Sequence, residues 1–511
     1  MEHAAAFTED EVSVVAFRTF GVEYLYPWQR LVIANVLDAA AASDDCAMSR
    51  QIVLLPTGAG KSLCFLVPAV LLDKLTLVVY PLLSLMADQK RRMDEAGVRN
   101  VVFKGGMSNE EREKCFEAIT DGAKVIIANP EILQDGKLVD RIARIGIAHF
   151  VIDEAHCICE WGDSFRPAYL SLGKIARRLH ADVVTAFTAT ASEPVLLRIQ
   201  EILFEGEAHI VRGDCDRPNI FYSVVNACDK KKMALRLALS QQKPLLIFCG
   251  TRSKAEGMAR ELAPVVGEDA VRFYHAGLKK SEKTAIETWF YGKQDGILCA
   301  TCAYGMGIDK KDIRTVVHLE ASPTVESYMQ ESGRAGRDGK PSKAFLLWSY
   351  GDHETYSRYA TGSRERRMLD YAESCTCRRQ VLLDALGGEL SACSGCDVCE
   401  RRAPAPFAAD GSMALRFIAR WRRFYKRDEL AGKLIAEFNE TARAETKINV
   451  WEHSDMETIL CSLEDQKLIR TCHSLWNGRI SVTKDGCEIL KKLTLPRQEP
   501  LHLLRLLSSL A

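Results

Sequence analysis

The stretch Leu54-Leu55-Pro56-Thr57-Gly58-Ala59-Gly60-Lys61-Ser62 limits the possible folds more than any other part of the chain. It follows a short apolar run, Gln51-Ile52-Val53, that reads as a strand, and it precedes Leu63 to Leu72, which reads as a buried helix. A glycine loop between strand and helix turns successive backbone N–H groups of Thr57, Gly58, Ala59 and Gly60 toward a phosphate, and the helix N-terminus adds its dipole. Lys61 is then placed to reach the β- and γ-phosphates, and the Ser62 hydroxyl to ligate Mg²⁺. A second stretch, Val151-Ile152-Asp153-Glu154-Ala155-His156, is an apolar strand ending in two carboxylates. Asp153 there suits the metal, and Glu154 suits the orientation of an attacking water. Together the two stretches point to an NTPase built on a parallel sheet.

The alternation around them extends that reading. From Gln51 to about Glu205, β-rich runs at Ile52–Leu55, Thr76–Tyr80, Val101–Phe103, Lys124–Ala128, Phe150–Ile152 and Val183–Phe187 are separated by helical segments. That pattern predicts a parallel sheet flanked by helices. A second alternating block starts near His209, with strands expected at Leu245–Cys249, Ala270–Tyr274, Gly296–Ala300, Thr315–Leu319 and Lys343–Trp348. It has no phosphate loop of its own, so a nucleotide cleft closed from both sides is expected. In this block Arg334 and Arg337 stand three apart, a spacing that on a helix sets both guanidinium groups on one face. Alone, such a pair is a surface patch; opposite a nucleotide loop it becomes a candidate arginine finger.

At 511 residues the chain is too long for one core. Its formal net charge of +0 excludes any global electrostatic attraction to nucleic acid, leaving only local basic stripes. The longest apolar run, Leu63 to Leu72, falls short of the roughly 18 residues of a membrane span. The first ten residues lack a basic segment followed by an apolar core, so no secretory leader and no membrane partner are expected. Most of the 18 cysteines are scattered singly, as in a reducing compartment. Cys377, Cys393, Cys396 and Cys399 are different: two tight spacings and a longer arm fit a closed, structural tetrahedral Zn²⁺ site.

Beyond Ser412 the pattern becomes three helices and a hairpin, the makings of a winged helix. Phe417, Trp421 and Phe424 recur at helical spacing and read as core, with Arg416, Arg420, Arg422, Arg423, Lys426 and Arg427 between them as either a phosphate contact or a solvated face. Asn477-Gly478 is a two-residue hairpin signal, and Trp476 beside it either stacks on a terminal base pair or folds onto its own hairpin.

With these motifs in place, the chain from Phe20 to about Val482 resembles the RecQ family of superfamily-two DNA helicases. Asp153-Glu154-Ala155-His156 resembles the DEAH box, Ala186–Ala191 the coupling motif, Val79–Gln89 an early DNA-contact motif, and Gln330–Gly339 the arginine motif. The resemblance implies catalytic roles for His156 and Gln330 beside Lys61, Asp153, Glu154, Arg334 and Arg337, and adenine contacts from Tyr26 and Gln29. It also implies DNA contacts from Trp161, Phe165 and Arg166 in an aromatic-rich loop, where bases stack on aromatic planes at about 1–3 kcal/mol each. The chain departs from the family pattern at Tyr26, Asp163-Ser164 and Thr324.

The expected architecture is α/β: two RecA-like domains (1–205 and 206–350), a zinc-binding domain (351–403), a winged helix (404–495) and a tail (496–511). The expected cofactors are ATP, Mg²⁺ and Zn²⁺, and the expected partners are single-stranded and forked duplex DNA, with 3′-to-5′ movement and a role in recombination and repair. The compartment is then the nucleus of a eukaryote or the bacterial cytoplasm. The rival readings are a superfamily-two RNA helicase and a DNA-binding scaffold whose ATPase is dead.

Overall fold

The computed structural model describes residues 9–42, 47–55, 60–161, 166–189, 191–213, 216–305, 310–388, 392–400, 407–446, 449–472 and 478–494. Thr57, Gly58, Ala59, Phe165, Trp476, the tail 496–511 and the side chain of Trp161 lie outside this description.

The first sheet consists of β1 (Arg50–Leu54), β2 (Leu75–Val79), β3 (Asn100–Phe103), β4 (Val125–Ala128), β5 (Ile147–Ile152), β6 (Val183–Thr188) and β7 (His209–Arg212). All pairings are parallel, in the order β3-β4-β2-β5-β6-β1-β7. β2 and β5 are buried along their whole length, as helices on both faces require of an unbroken apolar run. Alternate residues feed two cores: Phe150 and Ile152 pack on one face with Ile158 and Tyr169, and Val151 packs on the other with Phe65 and Phe187.

The second sheet consists of β8 (Ile220–Asn226), β9 (Leu245–Phe248), β10 (Val271–Tyr274), β11 (Ile297–Ala300), β12 (Thr315–His318) and β13 (Ser342–Trp348), again parallel, in the order β10-β11-β9-β12-β13-β8. One of its cores continues into the cysteine-rich module through Leu382, Leu386 and Cys396. The module therefore has no separate apolar centre there. The C-terminal part packs helices Ala409–Arg420, Arg427–Thr446 and His453–Asp465 with the antiparallel pair β14 (Ile469–Cys472) and β15 (Arg479–Val482) around Leu415, Leu434, Phe438, Ile459 and Ile480.

Three expectations need correction. The first sheet does not stop at residue 205: β7 pairs with β1, Gln51 opposite His209, because the chain returns to satisfy the open edge of β1 before crossing over. The hairpin register pairs Cys472 with Arg479, not the register of a two-residue turn at Asn477-Gly478, and residues 473–477 between them lie outside the described residues. The aromatic stripe is not a buried helix face. The helix ends at Arg420, Arg423 has φ +59°, and Trp421 and Phe424 are 38% and 56% exposed. No helix among the described residues is long and apolar enough to cross a membrane.

Candidate active site and zinc centre

β6 lies between β1 and β5, pairing Leu54 with Thr188 and Ile152 with Ala186. The phosphate loop, the Asp153-Glu154 pair and Thr188 thus leave the sheet at one edge, where open α/β sheets place ligands. Lys61 Nζ lies 3.4 Å from Glu154 Oε1. Glu154 has φ +51°, the left-handed region that a non-glycine residue adopts at a cost of about 1–3 kcal/mol. The neighbouring backbone over-determines it: Asp153 N donates to Val79 O (3.0 Å) and Ala155 N to Phe187 O (2.8 Å). Burial works against ionisation of both carboxyls. For Glu154 the attraction of Lys61 and His156 outweighs it and holds the group below the usual carboxylate range, whereas Asp153 is pushed up.

His156 joins this cluster to β6. Its Nδ1 lies 3.1 Å from Thr188 Oγ1 and 3.5 Å from Glu154 Oε2, an oxygen that has no hydrogen-bond partner among the described residues. Ser62 Oγ donates to Gln89 Oε1 at 3.5 Å. Gln29 is buried, with Oε1 accepting from Tyr26 N (2.9 Å) and Nε2 donating to Gly60 O (3.4 Å). Gly60 has φ +72°, and a Cβ there would fall 2.5 Å from Gln29 Nε2, so only glycine fits. Tyr26 is exposed and stacked on Trp28, with centroids 4.6 Å apart and planes 7° apart.

Arg334 and Arg337 are not on a helix face. The helix Val325–Ser332 stops before them, and Gly333 and Gly336 (φ +54°) carry the chain through a turn. Arg334 is 3% exposed, its Nε has no hydrogen-bond partner among the described residues, and burial pushes its pKa down to about 10. It is close enough to Glu154 for mutual attraction. A buried guanidinium without a full set of acceptors fits an anionic ligand such as a phosphate. Gln330 sits half-buried on the preceding helix.

Of the aromatic-rich loop, Arg166 is described. Its Nε and Nη2 donate to Glu131 Oε1 and Oε2 at 2.7 and 2.6 Å, and its Nη1 donates to Pro81 O. The sequence carried no signal for Glu131, which lies 35 residues away.

The four sulfurs of Cys377, Cys393, Cys396 and Cys399 lie within 4.8 Å of one another. A tetrahedral ion with bonds of about 2.3 Å needs sulfurs about 3.8 Å apart, so the donor set fits zinc. Burial raises the Cys396 thiol, but hydrogen bonds from the backbone N–H groups of Cys399, Arg378 and Val398 and from the Cys399 side chain outweigh burial and hold the thiol below its usual pKa. Cys375 is exposed and stands outside the cluster.

Two parallel-sheet domains, one carrying a phosphate loop with its carboxylates and the other an arginine turn, define a two-domain nucleotide hydrolase of the helicase type. Comparison with known proteins narrows the class. Residues 26–197 match the DEAD/DEAH box helicase model, 229–339 the helicase conserved C-terminal domain, and 347–400 the RecQ zinc-binding model. The chain is 40% identical over 342 residues to a Bacillus subtilis (strain 168) protein described as "Probable ATP-dependent DNA helicase RecS", covering 66% of this chain and 67% of that one. It is 34% identical over 379 residues to the ATP-dependent DNA helicase RecQ of Pasteurella multocida (strain Pm70), covering 71% and 59%. The matched regions thus span about three-fifths to two-thirds of these relatives. The solved structure of the DEAD-box helicase Mss116 bound to ssRNA and UDP-BeF shares the fold, with a TM-score of 0.58 at 16% identity over 90% of this chain and 91% of that one. The chain belongs to the RecQ family of superfamily-two helicases.

Proposed function

We propose that the chain is an ATP-dependent DNA helicase that moves 3′-to-5′ on single strands and opens forked duplex in recombination and repair. One observation carries the reading: Lys61 pairs with Glu154 at one end of the first sheet, and the buried Arg334 of the second half is near enough to attract that carboxylate. Thr57, Gly58, Ala59, Gly60 and Lys61 would hold the phosphates. Ser62 and Asp153 would hold Mg²⁺, which supplies charge neutralisation when bound. Glu154 orients the attacking water and accepts its proton, and His156 links that carboxylate to Thr188. Arg334 and Arg337 neutralise charge developing on the γ-phosphate, with Gln330 beside them. Tyr26 and Gln29 face the adenine. Arg166 is anchored by Glu131, and Trp161 and Phe165 of the aromatic-rich loop would contact DNA. The three helices and hairpin act as a winged helix, where exposed Trp421 and Phe424 among arginines suit the duplex and Trp476 suits its terminal pair. The family likeness supports direction and repair role, and the compartment follows the DNA: nucleus or nucleoid. The proposed divisions follow the sequence reading, with the first moved to about residue 213.

Unwinding of forked, 3′-tailed and 5′-tailed duplexes, with ATPase rates on poly(dT) and poly(U), tests this reading. The expected result is ATP-dependent opening of forks and 3′-tailed duplexes, stimulation by poly(dT), and loss of both in Lys61→Ala. Preferential stimulation by poly(U) would favour an RNA helicase. ATPase unchanged by Lys61→Ala would exclude catalysis at this loop.

A further inference from the structure

The crossover between the two sheets does more than connect them. Residues 216–219 lie between β7 and β8, and Arg217 there reaches 116 to 119 residues along the chain to the arginine turn. Its Nη1 donates to Gly333 O at 2.9 Å, and its Nη2 donates to Ala335 O at 3.0 Å and to Gly336 O at 2.9 Å. These carbonyls lie just beyond the C-terminus of the helix Val325–Ser332, where a helix leaves acceptors unmatched and its dipole favours a cation. Asn219 grips the same loop, donating from Nδ2 to Gly336 O at 2.7 Å and to Lys340 O at 3.0 Å. The backbone on both sides of Arg334 is therefore fixed by a side chain from outside the turn.

The crossover is itself held from the zinc module. Arg379 is 1% exposed; its Nη1 donates to Asp216 Oδ1 and to Arg217 O (2.9 Å), and its Nη2 to Ile220 O (2.6 Å). The same guanidinium reaches Gly395 O at 3.5 Å, inside the loop between Cys393 and Cys396. One chain of hydrogen bonds runs from the cysteine cluster through Arg379, Asp216 and Arg217 to the turn that carries Arg334 and Arg337.

We propose that Arg217 is a positioning residue for the arginine turn, held in its own place by Arg379 of the zinc module. This rests on the reading of Arg334 and Arg337 as the γ-phosphate arginines. Turnover should be more sensitive than nucleotide binding, because misplacing a charge by about 1 Å can cost on the order of 100-fold in rate.

The test is steady-state ATPase of the full chain with saturating poly(dT), together with zinc content per chain, for Arg217→Met, Arg217→Lys and Arg337→Ala. Arg217→Met is expected to lose kcat by about 10–100-fold, with KM for ATP within about threefold and zinc retained. Arg217→Lys should recover part of the loss, since an ammonium cannot span the three carbonyls as the planar fork does. Wild-type kcat in a folded Arg217→Met, or a loss that tracks zinc content, overturns the proposal. If Arg217→Met does not fold, Arg217→Lys decides: reduced kcat at unchanged KM supports the clamp, and wild-type kcat overturns it. Loss in Arg337→Ala with full activity in Arg217→Met overturns the clamp alone. Full activity in both overturns the arginine reading and the clamp with it.

Discussion

The two α/β halves share a fold but hold their functional groups by different means. In the first half Asp153 and Glu154 continue directly from β5, and Lys61 follows the loop after β1, so the central strands of the sheet set their positions. In the second half Arg334 and Arg337 lie on a turn that follows a helix rather than a strand, and its backbone is held by Arg217 and Asn219 as well as by Gly336 N donating to Ile313 O. The second half depends on neighbours, and one of them, Arg217, is held in turn by Arg379 of the cysteine module. Damage outside the sheets should therefore reach the active site through the second half and spare the first.

Zinc removal should separate the halves most strongly. Asp397 Oδ2 accepts from Val224 N of β8 at 2.9 Å, Arg378 pairs with Asp397 at 2.9 Å, and Cys396 lies in the core of the second sheet. Stripping the metal is expected to cost several kcal/mol, because the site has no preformed alternative in the unfolded chain. Calorimetry should show one transition falling by many degrees while a second, belonging to the first sheet, stays in place. A uniform shift of both would break the comparison.

Gly336→Ala is the next largest effect. With φ +54°, its Cβ would collide with Asn219 Nδ2 and meet Ser342 Oγ at 2.5 Å and Lys340 O at 2.7 Å. The strain is of order 1–3 kcal/mol, and its relief must displace the turn. Denaturant unfolding should show that loss, and ATPase kcat should fall while ATP binding at the phosphate loop persists.

A smaller effect belongs to the first half alone. His149 in β5 is fully buried, its Nε2 2.9 Å from Thr185 Oγ1, and burial lowers its pKa from 6.5 to about 3. The unfolded chain then binds one more proton than the native one between these values, so stability is complete above pH 6.5 and falls as the pH drops toward 3. The slope is about 1 kcal/mol per pH unit. Denaturation at pH 7.5 and 5.5 should show a shallower pH dependence in His149→Gln, confined to the first sheet's transition.

What the sequence revealed divides along the same line. β2, β5 and the Asp153-Glu154 pair were legible because strands buried on both faces are unbroken apolar runs, and strand-end chemistry sits next to them. β7 was read into the wrong half: His209 and Arg212 make it polar at both ends, as an edge strand allows, and only its pairing with β1 assigns it. The spacing of Arg334 and Arg337 suggested a helix, but two glycines turn the chain there. Arg217 left no trace at all, because a guanidinium bound to backbone carbonyls more than a hundred residues away demands no particular partner residue. The clustering of the four cysteines was legible, while the packing of their module into the core of the second sheet was not.

The claim that one site is assembled from both halves is tested most directly by ATP turnover in Arg334→Ala, with nucleotide binding measured separately. In that variant kcat is expected to fall about a thousandfold or more, with ATP still bound at the phosphate loop of the first half. Wild-type turnover would contradict that claim.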